Sequence, residues 1–346
     1  MRQIRILDTT LRDGTKSPGT ILTGDEKIRI AKQLARLRVD VLEPGFPAAS
    51  EEQFKVCERV AREIDGPIVA VLARATNPRD FEIAWDAVKH SFHPRIHTFV
   101  PASREYREHF LKKTVEQTRE LAASAVSMAK ELTADVEFSL VDAFRADPVE
   151  VVELCRAAIK AGASTINLAD SVGVALPSDV IRLFKRLKEE LESFEKAAFS
   201  IHCHDDFGLA VANSLAALQE GASQVHCTVN GIGERAGNTA LEELAAILQA
   251  RSATLDCQTQ IRMDQIYPTS RLVRRLTGIP LQPHKAVVGA NAFVCEMDVP
   301  QLADTTEKPP YEILRPERLG VQPSGDLLNV DTTHEHSLTE IGRAHV

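Results

Sequence analysis

Two histidines separated by one residue lie at the end of the apolar run FSIHCHDD. Successive side chains of a β-strand point to opposite faces, so His202 and His204 share one face while Cys203 points to the other. Two imidazoles with a nearby carboxylate are ligands suited to a divalent cation. A hydrogen-bonded histidine pair at a strand end is the alternative interpretation of this spacing.

Two further ligands are expected just past other strands. Asp13 follows the first predicted strand, in DTTLRDG, and supplies the carboxylate. Asn238 follows the eighth predicted strand and could add an amide oxygen. Because catalytic groups of a barrel gather at the carboxyl ends of its strands, these side chains are expected at one rim.

Arg12 places a guanidinium group directly before the expected ligand Asp13. Beside a divalent metal, such a group can stabilise a developing enolate oxygen. A salt bridge from Arg12 to Glu43 across the rim is a second interpretation, and it does not exclude the first.

The segment NGIGERAGN is rich in glycine but lacks the spacing of the dinucleotide-binding motif G-x-G-x-x-G. It fits better as a rim loop whose backbone approaches a ligand. We expect its first half to contact a cofactor, through Asn230, Gly231, Gly233 and Glu234.

The elements that position these residues alternate regularly. Eight β-branched runs predict strands at 4–10, 39–46, 68–74, 95–102, 135–140, 164–170, 199–205 and 224–231. Amphipathic patterns between them predict helices, clearest at 24–37, 148–162, 177–191 and 209–222. This alternation predicts an α/β fold, a (β/α)8 TIM barrel over residues 1–251, with a doubly wound open sheet as the alternative.

Beyond the barrel the pattern changes. Residues 252–321 predict a small, mostly helical C-terminal subdomain, and the polar stretch 322–346 predicts a flexible tail.

Composition excludes several classes of protein. With 41 Lys and Arg against 49 Asp and Glu, the net charge of −8 argues against nucleic-acid binding. No apolar run is long enough to cross a membrane, and six scattered cysteines without a C-x-x-C pair indicate a reduced, cytoplasmic protein. Anionic substrates would then be attracted locally, by rim cations at Arg12, Lys16, Arg74 and Arg235.

Five segments together carry a family resemblance: DTTLRDG, SPG, EPGFPAAS, HCHDDFGLAVANS and NGIGERAGNTALEE. The chain resembles 2-isopropylmalate synthases and, more broadly, the DRE-TIM metallolyase family with homocitrate and citramalate synthases and hydroxymethylglutaryl-CoA lyase. The likeness covers about residues 1–330. It implies an acyltransferase that condenses acetyl-CoA with a 2-oxo acid, and it implies a homodimer.

The resemblance also implies roles for single residues. It implies a divalent metal (Mg²⁺, Mn²⁺ or Zn²⁺) on Asp13, His202, His204 and Asn238, with Arg12 as the enolate-stabilising group. It places Glu43 near metal-bound water. It implies substrate contacts from His97 at the end of the fourth strand, and from Ser171 where synthases have threonine.

Several positions depart from the family pattern. Where the family usually has RDGEQSPG, this chain has RDGTKSPG, so Thr15 and Lys16 replace Glu and Gln. Lys16 places a new cation beside the metal. We expect both residues to contact substrate. Val141 stands where isopropylmalate synthases have a glutamate, and the adjacent Asp142 is the expected substitute.

The most serious departure follows the segment NAF. Cys295 and Pro300 stand where synthases carry two histidines, the second of which is implicated in acid–base chemistry. Proline cannot exchange a proton, whereas a Claisen condensation needs a base for the acetyl methyl group. Candidate replacements are Asp142, Glu296, Asp298 or a side chain of a partner subunit.

Three functions follow in order of preference. The first is a divergent acyltransferase of the alkylmalate synthase type. The second is a metal-dependent aldolase or lyase that forms the enolate by cleaving a carbon–carbon bond and therefore tolerates loss of that base. The third is a non-catalytic paralogue that binds metal without turnover.

Overall fold

The computed structural model describes residues 1–293 and 313–321. Eight parallel strands close into a barrel in chain order: β2 (Arg5–Asp8), β3 (Val41–Gly45), β4 (Ile68–Arg74), β5 (Pro94–Pro101), β6 (Asp135–Val141), β7 (Thr165–Asp170), β8 (Ala198–Cys203) and β9 (Gln224–Cys227). Because β2 pairs with both β3 and β9, the sheet has no edge. The predicted TIM barrel is confirmed, and the open-sheet alternative is wrong.

Helices alternate with these strands: α1 (Gly24–Leu37), α2 (Glu51–Glu63), α3 (Pro78–Val88), α4 (Arg104–Tyr106), α5 (Val115–Leu132), α6 (Pro148–Ala161), α7 (Pro177–Glu190), α8 (Ala210–Gln219), α9 (Leu241–Ala250), α10 (Ser252–Leu255) and α11 (Ile266–Thr277). All four helices predicted most clearly are present. The predicted eighth strand was too long, because the chain leaves the strand after Cys227 and turns tightly at Val229–Gly231, where Asn230 has a φ of 64°.

Helix α1 shows why the local sequence was sufficient to predict the bounds of a helix. Thr23 and Glu26 form a capping box, each side chain accepting from the other's backbone N–H. Ile30, Ala31, Leu34 and Leu37 bury one face of α1 against the barrel. The helix therefore begins and ends at the residues that its sequence pattern predicts.

The barrel interior is apolar on one side and polar on the other. Leu7, Val41 and Ala70, from β2 to β4, form a small apolar cluster. On the opposite side, Gln224 of β9 donates to Oε1 of Glu137 on β6, 2.9 Å away. Those strands are not neighbours, so this hydrogen bond crosses the interior.

The chain beyond the barrel returns to its base. A short strand, β10 (Cys257–Gln258), pairs in parallel with β1 (Arg2–Gln3). Helix α11 then packs against α1, with Nε2 of Gln33 donating to Oγ1 of Thr269 at 3.0 Å. The predicted tail, 322–346, lies outside the described residues.

Among the described residues, no helix combines the length and apolar character needed to cross a bilayer.

Candidate active site

Three side chains that could hold a metal converge at the carboxyl ends of the strands. Asp13, His202 and His204 are buried, and their ligand atoms lie within 4.8 Å of one another. Oδ2 of Asp13 is 3.3 Å from Nε2 of His202 and 3.9 Å from Nε2 of His204. The two Nε2 atoms are 3.3 Å apart. The structure thus brings together the three residues that the sequence pattern selected.

Local backbone geometry positions this trio. The carbonyl of Thr9 accepts from the N–H groups of Asp13 and Gly14, at 2.8 and 3.0 Å, so the chain turns sharply after β2. This turn directs the Asp13 carboxylate towards β8. Strand alternation places His202 on the same side, and His204 follows one residue beyond the strand.

The charge states of these groups suit metal ligation. Burial lowers the pKa of His202, although Asp13 opposes the shift. Burial and the neighbouring His202 lower the pKa of His204 to about 4. Burial would raise the pKa of Asp13, but Arg12 and His202 outweigh it and hold that pKa well below its usual range. Neutral imidazoles and a carboxylate are the ligand forms that a divalent cation needs.

Asn238 offers a fourth ligand atom. Its Oδ1 is buried and accepts no hydrogen bond from the described residues, whereas its Nδ2 donates to the carbonyl of Ile232 at 3.1 Å. The Asn238 backbone forms a bridge with His204, whose Nδ1 lies 3.2 Å from the carbonyl of Gly237. An unsatisfied buried oxygen is costly unless something binds it. The convergence of Asp13, His202 and His204 therefore fits a divalent metal, and Asn238 fits it by the chemistry of its unsatisfied oxygen.

Arg12 and Glu43 form a buried pair beside the trio. Nε of Arg12 donates to Oε2 of Glu43 at 2.7 Å, and another guanidinium nitrogen lies 3.1 Å from Oδ1 of Asp13. Burial would raise the pKa of Glu43, but Arg12 and His97 outweigh it and keep the carboxyl ionised. Both interpretations of Arg12 are therefore compatible: it pairs with Glu43 and lines the cavity beside the ligands.

A cavity of about 280 Å³ opens above these residues. One wall is polar: Nδ1 of His97 is 2.7 Å from Oε1 of Glu43, and its Nε2 is 2.7 Å from Oγ of Ser139. The apolar lining residues are Leu72, Phe99, Tyr106, Val141 and Ala169. Phe99 and Val141 follow His97 and Ser139 by two positions on the same strands, nearer the carboxyl ends. The cavity therefore offers polar groups next to the metal ligands and apolar surface further away.

A model of the HMGL-like family matches residues 3–273. The chain belongs to the HMGL-like family. It is 47% identical over 345 residues to the 2-isopropylmalate synthase of Dictyoglomus turgidum, covering 99% of this chain and 68% of that protein. It is 49% identical over 319 residues to that of Pyrococcus furiosus, covering 92% and 64%. The chain thus spans about two thirds of the length of these curated relatives.

Solved structures show the same fold at lower identity. A hydroxymethylglutaryl-CoA lyase from Bacillus subtilis is 22% identical with a TM-score of 0.70, covering 81% of this chain and 96% of that one. A hydroxymethylglutaryl-CoA lyase from Acinetobacter baumannii, in complex with coenzyme A and 3-methylmalate, is 23% identical with a TM-score of 0.69, covering 85% and 98%. The family resemblance drawn from the five sequence segments is confirmed.

The two residues that differ from the family pattern after Gly14, Thr15 and Lys16, lie in different surroundings. Nζ of Lys16 lies 2.8 Å from Oδ1 of Asp13 and 3.7 Å from Oε2 of Glu234, so Lys16 lines the cavity. The hydroxyl of Thr15 instead donates to the carbonyl of Arg12 at 2.9 Å, and Thr15 is absent from the cavity wall. Of the two substituted positions, the structure brings only Lys16 to the site.

Asp142 lies beside the cavity but is bound elsewhere. Its carboxylate receives a salt bridge from Arg145 at 2.6 Å and a hydrogen bond from the hydroxyl of Ser103. Its backbone N–H donates to Oγ of Ser171 at 2.8 Å, and Ser171 does line the cavity. The interpretation of Asp142 as a replacement base does not fit this geometry, because its lone pairs face Arg145 and Ser103. Asp142 instead positions Ser171.

The glycine-rich loop divides between two places. Glu234 lines the cavity, whereas Asn230 exchanges two hydrogen bonds with Ser270 of α11. Asn230 and Gly231 line a second cavity of about 300 Å³ beside Asn238. Gly233 is packed tightly: a Cβ there would lie 2.2 Å from Nδ2 of Asn238. Of the four loop positions expected to contact a cofactor, only Glu234 lines the active-site cavity.

All four cations expected at the rim form ion pairs, and two of them bind carboxylates that do not line the active-site cavity. Arg74 forms a salt bridge with Asp80 at 2.6 Å, and Arg235 binds Asp206 at 2.8 Å. These partners reduce the charge that either arginine can offer to an anionic substrate.

Sequence reasoning missed a buried pair beneath the metal ligands. Nε2 of His226 lies 2.6 Å from Oε1 of Glu137, whose other oxygen accepts from Arg95 at 2.7 Å. Burial would raise the pKa of Glu137, but His226 and Arg95 outweigh it. The His226 ring also packs edge-on against His202, with centroids 5.4 Å apart. Polar residues at every second position of β5, β6 and β9 were the available signal.

The expectations that rest on Cys295, Glu296, Asp298 and Pro300 concern positions outside the described residues.

Proposed function

We propose that this chain is a metal-dependent acyltransferase of the 2-isopropylmalate synthase type, condensing acetyl-CoA with a 2-oxo acid. The observation that carries the proposal is the buried cluster of Asp13, His202 and His204 beside Arg12, in a chain about half identical to 2-isopropylmalate synthases. The names of these relatives favour 3-methyl-2-oxobutanoate as the oxo acid, because its condensation with an acetyl group gives 2-isopropylmalate.

Asp13, His202, His204 and Asn238 would hold the divalent cation, and mixed oxygen and imidazole donors suit Mg²⁺, Mn²⁺ or Zn²⁺. When bound, such a cation supplies Lewis-acid polarisation of the oxo group. The remaining side chains of the site would then orient the substrates and stabilise the charge that develops on them.

Arg12 is the proposed electrostatic catalyst. Its Nε is fixed on Glu43, so the rest of the guanidinium is held in one orientation at the cavity. Its N–H groups can donate to the oxygen that becomes negative when a base takes a proton from the acetyl methyl group. With Asp142 occupied by Arg145, the proposed proton acceptors are Glu296, Asp298 or a side chain of a partner subunit. Because Glu43 holds Arg12 before substrate arrives, little reorganisation is needed during the reaction.

The cavity walls suit the two ends of a 2-oxo acid. Ser171, His97 and Lys16 present polar groups for the carboxylate end. Leu72, Phe99 and Val141 present apolar surface to the side chain. In synthases of this family a glutamate stands at the Val141 position, so this wall is more apolar here.

We include two further expectations in this proposal. The chain forms a homodimer, as the family resemblance implies, and it acts in the cytoplasm. The five cysteines among the described residues are buried and free, as a reducing compartment requires. Light scattering of the purified chain measures the oligomeric state directly.

Release of free CoA thiol tests the proposal. The chain is incubated with acetyl-CoA, Mg²⁺ or Mn²⁺, and a panel of 2-oxo acids that begins with 3-methyl-2-oxobutanoate. We expect release that depends on one oxo acid, on metal, and on His202. The His202→Ala variant should lose both bound metal and thiol release. The control is Cys203→Ala, on the opposite face of the strand, which should keep both.

Silence across the panel, with metal bound to the wild-type chain, contradicts the acyltransferase. That result would favour the second function, cleavage of a 2-hydroxy acid, and the same preparation would then be tested for release of a 2-oxo acid.

A further inference from the structure

Asp142 joins three neighbouring loops at the carboxyl ends of β5, β6 and β7. It directly follows β6, and its carboxylate accepts a hydrogen bond from the hydroxyl of Ser103, two residues past β5. Its backbone N–H donates to Oγ of Ser171, the first residue past β7, at 2.8 Å. Asp142 is 1% exposed, so both hydrogen bonds form where water is largely excluded. One buried residue therefore ties three loops together.

The backbone of Asp142 is held in an uncommon conformation. Its φ of 60° lies in the left-handed region, which aspartate adopts more readily than most residues but still at a cost. Such a conformation persists where the surrounding contacts over-determine it. Besides the hydrogen bond to Ser171, the next N–H, that of Ala143, donates to the carbonyl of Ala169 at 2.9 Å. These contacts hold the end of β6 against β7 despite the strain.

Arg145 adds a second set of contacts from the same loop. Its Nε lies 3.0 and 2.9 Å from the two carboxylate oxygens of Asp142, and another guanidinium nitrogen lies 2.6 Å from Oδ2. The guanidinium also lies over the ring of Tyr106, with Cζ 5.8 Å from the ring centroid, as in a cation–π contact. The N–H of Tyr106 in turn donates to Oγ of Ser103 at 3.3 Å. Tyr106 is thus connected to Asp142 twice, through Ser103 and through Arg145.

The residues at the two ends of these contacts line the active-site cavity. Tyr106 and Ser171 belong to its wall, whereas Asp142, Arg145 and Ser103 lie behind it. Because Oγ of Ser171 accepts from the N–H of Asp142, the Ser171 hydroxyl proton is available to a ligand, and no described residue accepts it. The contacts therefore orient a donor on one part of the wall and an aromatic ring on another.

We propose that Asp142 and Arg145 are positioning residues that set the fit of the oxo acid, by holding Tyr106 and Ser171 in place at the cavity. This inference rests on the proposed acyltransferase function. The Ser171 hydroxyl suits an oxygen of the oxo acid, and the Tyr106 ring suits its apolar side chain. A displacement of about 1 Å can cost up to about a hundredfold in rate, so holding these two residues is a large effect. We call the salt-bridged pair of Asp142 and Arg145 the rim clamp.

Hydrogen exchange followed by mass spectrometry tests the rim clamp without turnover. In Arg145→Gln, exchange of the backbone amides of residues 103–111 should be about tenfold faster than in the wild type. The matched control is Arg182→Gln, because Arg182 also pairs with an aspartate three residues before it, Asp179, but on the exposed start of α7. This control should leave exchange at 103–111 unchanged. Wild-type exchange there in Arg145→Gln overturns the proposal, whatever reaction the chain catalyses.

Three substitutions of Asp142 separate the carboxylate from the backbone strain. Asp142→Asn keeps an acceptor for Ser103 and tolerates the left-handed backbone, Asp142→Gly keeps only the backbone freedom, and Asp142→Ala keeps neither. The KM for the oxo acid should rise in that order, to about tenfold in Asp142→Ala. The KM for acetyl-CoA should stay within about twofold of the wild-type value. Circular dichroism checks that each variant remains folded.

The outcomes distinguish the rim clamp from the proposed function. A wild-type KM for the oxo acid in Asp142→Gly would show that the carboxylate is not needed, and it overturns the rim clamp alone. An equal rise of both KM values would indicate a general loss of structure and overturns it as well. A wild-type chain that releases no thiol contradicts the acyltransferase instead, and the exchange experiment still decides whether the rim clamp holds residues 103–111.

Discussion

The ammonium group of Lys16 lies 2.8 Å from Oδ1 of Asp13, whose other oxygen faces His202. A cation of the chain thus contacts the same carboxylate that a divalent metal would use. Like charges repel, so Lys16 lowers the affinity of this site for metal unless it moves away.

Replacing Lys16 with glutamine, the usual family residue, should therefore tighten metal binding. Lys16 is about half exposed, so water screens the repulsion, and we expect an effect of about five- to tenfold. Calorimetric titration of the metal-free chain with Mn²⁺ measures it. The control is Lys55→Gln, which removes an exposed lysine paired with Glu51. Unchanged or weaker Mn²⁺ binding in Lys16→Gln would show that Lys16 does not oppose the metal.

Arg12→Gln should separate metal binding from catalysis. The variant keeps all expected ligands but loses the guanidinium that Glu43 holds at the cavity. Removing one such electrostatic group typically lowers kcat by about a hundredfold to a thousandfold. The readouts are kcat for thiol release and the Mn²⁺ dissociation constant. A kcat near that of the wild type would remove the catalytic role from Arg12.

Gly233→Ala should weaken metal binding through Asn238. A Cβ at Gly233 would lie 2.2 Å from Nδ2 of Asn238, so the amide must move. Gly24→Ala is the matched control, because a Cβ there would make only an ordinary contact with Val56. We expect weaker Mn²⁺ binding in Gly233→Ala and wild-type binding in Gly24→Ala. Equal binding in all three proteins would argue that Asn238 is not a ligand.

Asp8 should make stability depend on pH. Burial raises its pKa from 3.8 to about 7, against two hydrogen bonds from Thr10 that lower it. Between these values the folded chain holds a proton that the unfolded chain has released, so the free energy of unfolding falls as pH rises. At 1.36 kcal/mol per pKa unit, the loss is at most about 4 kcal/mol.

Comparison with Asp8→Asn isolates this contribution. The stability of the wild type relative to Asp8→Asn should decline from about pH 4 to about pH 7 and then level off. Urea unfolding across this range measures both proteins. A difference that stays constant with pH would mean that Asp8 titrates at its ordinary value.

Local sequence determined much of this protein. The capping box at Thr23 and the apolar face of α1 defined that helix, and the eight β-branched runs defined the barrel strands. Strand alternation placed His202 and His204 on one face, and the rule that barrel sites lie at carboxyl ends brought Asp13 to them. These features depend on residues close in sequence or on a general property of the fold.

The tertiary structure alone decided which polar groups are free. Spacing did not reveal that Arg145 occupies the carboxylate of Asp142 or that the Thr15 hydroxyl donates to the carbonyl of Arg12. Nor did it reveal that Glu137 and His226 pair across the barrel. Glu137 and His226 are 89 residues apart in the chain. Hydrogen bonds and ion pairs form between groups that are close in space. Because the closed barrel brings distant parts of the chain together, the number of residues between two groups does not predict how far apart they lie.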